Sequence, residues 1–195
     1  MTGSTWQGPL IVYRLEVQRG LYQELAVDDA AEFGRRFQHP FSGRRMQISL
    51  SPIRCRTVGS QRSRADFTYL APGTVVIADE IVRRTPDLHH VGELLPVLVD
   101  GVDERYALNV TNIVNVLDAA KSKPTGRQSS ASGLREYAFH AHRLSLPSIF
   151  KIPETAAAEI LAIQGINNCP EDEFPVEFQR NHFTGLKLVP VWTQE

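Results

Sequence analysis

From Pro9 the chain runs apolar through Leu10, Ile11 and Val12 and then alternates apolar and polar side chains to Val17, the period-2 pattern of a strand. Asp28 opens a short helical stretch through Phe37, with acids in its first turn and Arg35 and Arg36 in its last, complementing the helix dipole. Between Gln38 and Leu70, Pro40, Gly43, Pro52 and Gly59 cut the apolar pieces short, which predicts loops around one or two edge-type strands.

The β-branched run Thr74 to Ala78 predicts a strand, and Asp79 to Arg84 a one-helix successor stopped by Pro86. Val91 to Val99 and Arg105 to Val110 form the arms of a hairpin turning at Asp100-Gly101. Asn112 to Ala119 carries Ile113, Val116 and Leu117 at helical spacing, predicting a short amphipathic helix. Residues 121–133 hold no apolar side chain larger than alanine and predict a mobile loop. Tyr137, Phe139 and Ala141 alternate as in a strand, and Ile149 to Ile152 predicts another. Glu154 to Ile163 fits helix or strand. A weak echo of residues 75–97 in 174–191 fits either a repeated unit or shared turn chemistry. The pattern therefore predicts an α+β fold: one domain over 1–195 with a flexible N-terminus at 1–8, its sheet mixed or mainly antiparallel and carrying short packed helices.

Composition adds a charge asymmetry. The formal net charge is -1, yet residues 35–64 hold eight arginines (Arg35, Arg36, Arg44, Arg45, Arg54, Arg56, Arg62, Arg64) and no acid, leaving an acidic remainder. Cys55 and Cys169 lack metal-type spacing and fit a reducing compartment. No apolar run is long enough to span a bilayer and the N-terminus is not a secretory leader, so a cytoplasmic location is expected, with no membrane partner.

The chemistry-bearing constellations are sparse. His140 and His142 at i and i+2 on a strand would share a face that zinc or iron could use, but no local third ligand accompanies them. His89 and His90, adjacent on an extended segment, would face opposite ways. No nucleophile elbow, phosphate loop or dinucleotide fingerprint is present, and no catalytic, cofactor or metal residue is assigned. The arginine stretch suits a nucleic-acid-binding module, but its few aromatics, the scarcity of lysine and the neutral net charge argue against nucleic acid as partner.

Several segments recur in a fixed order: Asp66 to Leu70, Val75 to Glu80, Gly-Glu-Leu-Leu-Pro-Val (92–97), Leu-Asn-Val-Thr-Asn with Val-Leu-Asp (within 106–118), Ile-Phe-Lys-Ile-Pro (149–153) and Phe-Thr-Gly-Leu-Lys-Leu-Val-Pro-Val-Trp (183–192). In that order, from about Leu10 to Trp192, the chain resembles a bacterial family of polymorphic-toxin immunity proteins typified by a myxobacterial member. It departs from that pattern in the Ala-rich 155–162 and in 165–174. The resemblance implies a single-domain, non-enzymatic α+β protein without cofactor, which binds and inactivates a toxin, its cognate partner encoded by an adjacent gene. The shared residues are mainly apolar, glycine, proline or turn formers, and read as scaffold. If the toxin is a nuclease its surface is basic, so the acids Asp100, Asp103, Glu104, Glu171, Asp172 and Glu173 are the expected partner contacts. A nucleic-acid module on the arginines and a metal-dependent enzyme around His140 and His142 are the alternatives.

Overall fold

The computed structural model describes residues 8–37, 41–46, 51–85, 87–125, 133–167 and 170–194. Leu10–Val17 forms β1 and Glu24–Val27 forms β2, a strand the pattern does not predict. Helix α1 is Ala30–Arg36; its cap is Asp29, one residue beyond the expected opener, and its carboxylate accepts the Glu32 amide at 2.8 Å. Ile53–Val58 (β3) and Phe67–Tyr69 (β4) are the two strands of the punctuated region. Only β4 is an edge strand, because β3 pairs on both sides.

Thr74–Ala78 (β5) leads directly into α2, Asp79–Arg84, followed by α3, Leu88–Val91, and β6, Gly92–Val99. Asp100 and Gly101, both at positive φ, turn the chain into β7, Asp103–Val110, as the hairpin pattern predicts. A six-stranded sheet results, in the order β2-β3-β6-β7-β5-β4, antiparallel except for the parallel β3–β6 pair.

The helix expected over Asn112 to Ala119 is not formed. Its backbone groups are taken elsewhere: Val114 N–H donates to the Lys151 carbonyl at 2.9 Å, Lys151 N–H donates to the Asn112 carbonyl at 2.9 Å, and Asp118 N–H donates to the Ala138 carbonyl at 2.8 Å. Val116 and Leu117 are still buried, but from an extended segment suited to β-branched residues. Within the expected loop, Lys123–Pro124 (β8) pairs with Leu134–Glu136 (β9); residues 126–132 lie outside the described set. The strand expected across Tyr137 to Ala141 is also replaced, by a single bridge at Phe139 and a 3-10 turn at Ala141–Arg143.

Ile149–Phe150 (β10) and Leu161–Gln164 (β11) follow, so the ambiguous 154–163 segment ends as strand after a 3-10 turn at Pro153–Thr155 and two left-handed alanines, Ala156 and Ala157. Helix α4, Phe174–Arg180, precedes β12, Leu186–Gln194. The second sheet runs β10-β11-β1-β12, all antiparallel. The sequence echo therefore joins unlike places, since β6 is interior to one sheet and β12 is an edge of the other.

Three apolar cores stack through these layers. The central one packs Val75, Ile77, Leu108 and Val110 against α2, α3, α4 and residues of the small sheet, around Phe67, Phe174, Phe178 and Phe183. Phe67 lies 5.8, 5.7 and 6.0 Å, centroid to centroid, from those three rings, each contact adding about 0.5–1.5 kcal/mol beyond burial. A second core covers the opposite face of the large sheet with Phe37 and Phe41, and a third covers the outer face of the small sheet with Phe139 and Tyr137. The chain is thus a single α+β domain whose sheets share a core. Among the described residues no helix is long and apolar enough to cross a membrane.

Candidate partner-binding surface

The six acids divide between two ends of the fold. Asp100, Asp103 and Glu104 sit at the β6–β7 turn, while Asp172 lines a crevice with Leu88 and Val91, beside Gly92 at the far end of β6. An eight-residue strand separates these ends by roughly 23 Å, from its rise per residue.

At the turn, Asp100 accepts the Thr57 hydroxyl at 2.6 Å and the Thr57 amide at 3.0 Å, and these bonds hold its carboxyl below the usual range. Asp103 pairs with Arg64 at 2.9 Å and with buried Arg105 at 2.8 Å. Glu104 is exposed and in no ion pair among the described residues. At the other end, Glu171 and Asp172 are exposed and line an open cleft of about 270 Å³ with Asp87, Glu177 and Arg180.

Glu173 is fully buried, so its carboxylate is not presented to a partner. It accepts the Gly165 amide at 2.6 Å and the Asn167 amide at 2.7 Å, pinning the loop that leaves β11. Burial raises its pKa, and the amide bonds oppose that rise. No sequence pattern distinguishes it from its two exposed neighbours; only the 3-10 turn at Pro170–Asp172 turns its side chain inward.

The arginines scatter over both sides of the large sheet. Arg54 and Arg56 alternate with buried Ile53 and Cys55 on β3, while Arg44 and Arg45 lie on the segment across the opposite face. Arg64 is spent on Asp103, and Arg36 donates to the Pro52 carbonyl at 3.5 Å. Arg36 and Arg54 also border a cleft of about 370 Å³ between α1 and β3, which Asp28, Asp29, Glu32, Phe33, Phe37 and Ile53 line as well.

His140 and His142 bracket the start of the 3-10 turn rather than sharing a strand face, with ring centroids 5.8 Å apart beside Asp118, Lys121 and Trp192 in an open cleft of about 650 Å³. Among the described residues no group of three or more His, Cys, Asp or Glu is placed to hold a metal ion. His89 and His90 lie together on α3, both exposed, not on an extended segment. Cys55 is buried, and burial, with Asp28 adding, pushes its thiol up to about 12, an inert state. Cys169 lies outside the described residues.

The segments that carry the family resemblance are internal joints. A Cβ on Gly92 would overlap the Asn109 carbonyl, and one on Gly185 the Phe67 carbonyl. Glu93 accepts the Met46 amide at 2.9 Å and the Asn109 side-chain amide at 2.9 Å, clamping the 41–46 segment to β6 and β7. Asn112 donates to the Ile149 carbonyl at 3.0 Å, and Lys151 reaches the Phe41 and Gly73 carbonyls from a position without solvent exposure. No protein-family model matches the chain, and no curated protein matches it.

Proposed function

We propose that this chain is an immunity protein that binds a cognate bacterial toxin stoichiometrically, in the cytoplasm of the producing cell, and blocks it without catalysis. The observation that carries this is the ordered run of segments from Leu10 to Trp192 that resembles the immunity family. Its supporting physical feature is the division of labour between inside and outside. Gly92, Glu93, Asn109, Asn112, Lys151 and Gly185 all serve internal contacts, so the shared residues define a scaffold and leave the exposed surface free to suit one toxin.

Co-expression tests it. The adjacent gene is expressed alone and with this chain; growth arrest by the first, relief by the second and co-purification of the two products are the expected results. A harmless neighbour, or a toxic one neither bound nor neutralised, overturns the proposal. The second reading, a nucleic-acid-binding module, is favoured by one observation, the exposed Arg54 and Arg56 side by side on β3. Salt-dependent binding of a duplex or single strand, lost on replacing these arginines, would establish it.

A further inference from the structure

One half of one sheet face is bare. On the side of the large sheet that carries Ile77, Leu108 and Val110, the central core covers β5, β4 and the inner part of β7, but it stops short of β2, β3 and the turn end of β6. The burial pattern of β3 alternates there, with Ile53 and Cys55 turned into the opposite core and Arg54 and Arg56 exposed. The register places Ala26 opposite Arg56 and Leu98 beside Arg54, with Val58 continuing the row, while Val102 is an exposed residue of the turn that follows β6. Val58 is 47% and Val102 83% exposed, and both are among the exposed large aliphatic side chains of the described residues.

Resting on the immunity reading, we infer that this half-face, with Arg54 and Arg56 beside Val58 and Leu98 and next to the turn that carries Val102, is where the toxin docks, through an apolar contact bordered by its carboxylates. Charge identifies the occupant. Arg54 and Arg56 point to the same side within about 7 Å of each other, like charges held together by the pleat. Arg54 forms no ion pair among the described residues, the one carboxylate on Arg56, Asp28, stands 3.9 Å away, and Glu104, opposite Leu98 on the same side, pairs with neither arginine among the described residues. Partner carboxylates would neutralise this pair, and two guanidiniums beside aliphatic groups match the arginine-and-apolar make-up of interface centres.

A nucleic acid fits less well, because sheet surfaces that hold single strands use stacking rings, and this side of β2 and β3 offers half-buried Glu24 and Ala26 with exposed Arg54, Arg56 and Val58. The turn is also preorganised: Thr57 holds Asp100, the Cys55 carbonyl accepts the Asp100 amide at 2.9 Å, and Arg64 holds Asp103, so little conformational freedom is lost on docking. This places the contact on arginines and aliphatics and moves it away from Glu171 and Asp172.

The test uses the full chain and the toxic product of the adjacent gene as probe, with affinity measured by titration calorimetry. The variants are Arg54→Glu/Arg56→Glu, Val58→Asp/Val102→Asp and, as a contrast, Glu171→Lys/Asp172→Lys. All six positions are exposed, and unchanged thermal melting checks that each variant folds. The first two pairs should each weaken binding by about 100-fold and the third by less than about 3-fold. A wild-type complex that survives both half-face variants overturns the docking site and leaves the immunity reading standing. No wild-type complex overturns both. Binding of a 20-nucleotide single strand that disappears in Arg54→Glu/Arg56→Glu overturns the protein occupant in favour of nucleic acid.

Discussion

The Lys151 ammonium stands 2.7 Å from the Gly73 carbonyl oxygen at a position with no solvent exposure, and it makes no ion pair among the described residues. It also donates to the Phe41 carbonyl, so three stretches far apart in sequence meet at one cation. Burial lowers its pKa to about 8. A lysine in the unfolded chain titrates near about 10.4, so between these values the unfolded state holds the extra proton and stability rises with pH. Below pH 8 the full cost, on the order of 3 kcal/mol, is present. Cys55, pushed up to about 12, works in the opposite direction above pH 8. The difference between wild type and Lys151→Met cancels that contribution. Urea unfolding at pH 7 and pH 10 should show wild type gaining on Lys151→Met by about 2–3 kcal/mol at the higher pH.

Gly92 and Gly185 admit no side chain, because backbone carbonyls occupy the space and Gly185 lies at a φ of 95° as well. Gly92→Ala and Gly185→Ala should each cost about 2–3 kcal/mol, lowering the melting temperature by roughly 5–10 °C. Gly101→Ala, with open space around its Cβ position but a positive φ, should cost about 1 kcal/mol. Thermal melts of the three variants rank them.

Glu173 and its neighbours should separate cleanly. Glu173→Ala leaves the Gly165 and Asn167 amides without their acceptor and should destabilise by about 2–4 kcal/mol. Glu171→Ala and Asp172→Ala, both exposed, should stay within about 0.5 kcal/mol of wild type. Chemical denaturation of the three proteins decides, and equal stabilities would remove the loop-pinning role of Glu173.

Phe67 is the hub of the ring cluster between the sheets. Phe67→Ala should cost about 3–5 kcal/mol, whereas Val102→Ala at the open turn should cost less than about 0.5 kcal/mol. Hydrogen exchange should show amides of α4 and β12 losing protection together with those of β5 in Phe67→Ala, since one core covers all three.

Local chemistry explains which elements were legible. Thr74 to Arg84 combines a β-branched run with acids and then arginines, and the Asp100-Gly101 pair dictates its turn, so strand, helix and hairpin all follow from neighbours in sequence. Asn112 to Ala119 failed because Lys151 and Ala138, distant in the chain, claim its backbone groups. The four residues of β2 are recognisable only once β3 lies beside them. The acids were visible as residues, but their fates were not. Asp103 meets Arg64 of the β3–β4 connection, 39 residues away, and Glu173 is turned inward by a 3-10 turn, neither of which periodicity encodes.

Strand β1 lies inside the small sheet between β11 and β12, and β12 begins about 170 residues after β1 ends. On a ribosome adding about 5–20 residues per second, β1 waits roughly 10–35 s before its last partner exists. The six strands of the larger sheet are complete by Val110 and are free to assemble meanwhile. The growing chain therefore carries an unmatched apolar strand through most of its synthesis, and its small sheet closes only when residues 186–194 have left the exit tunnel.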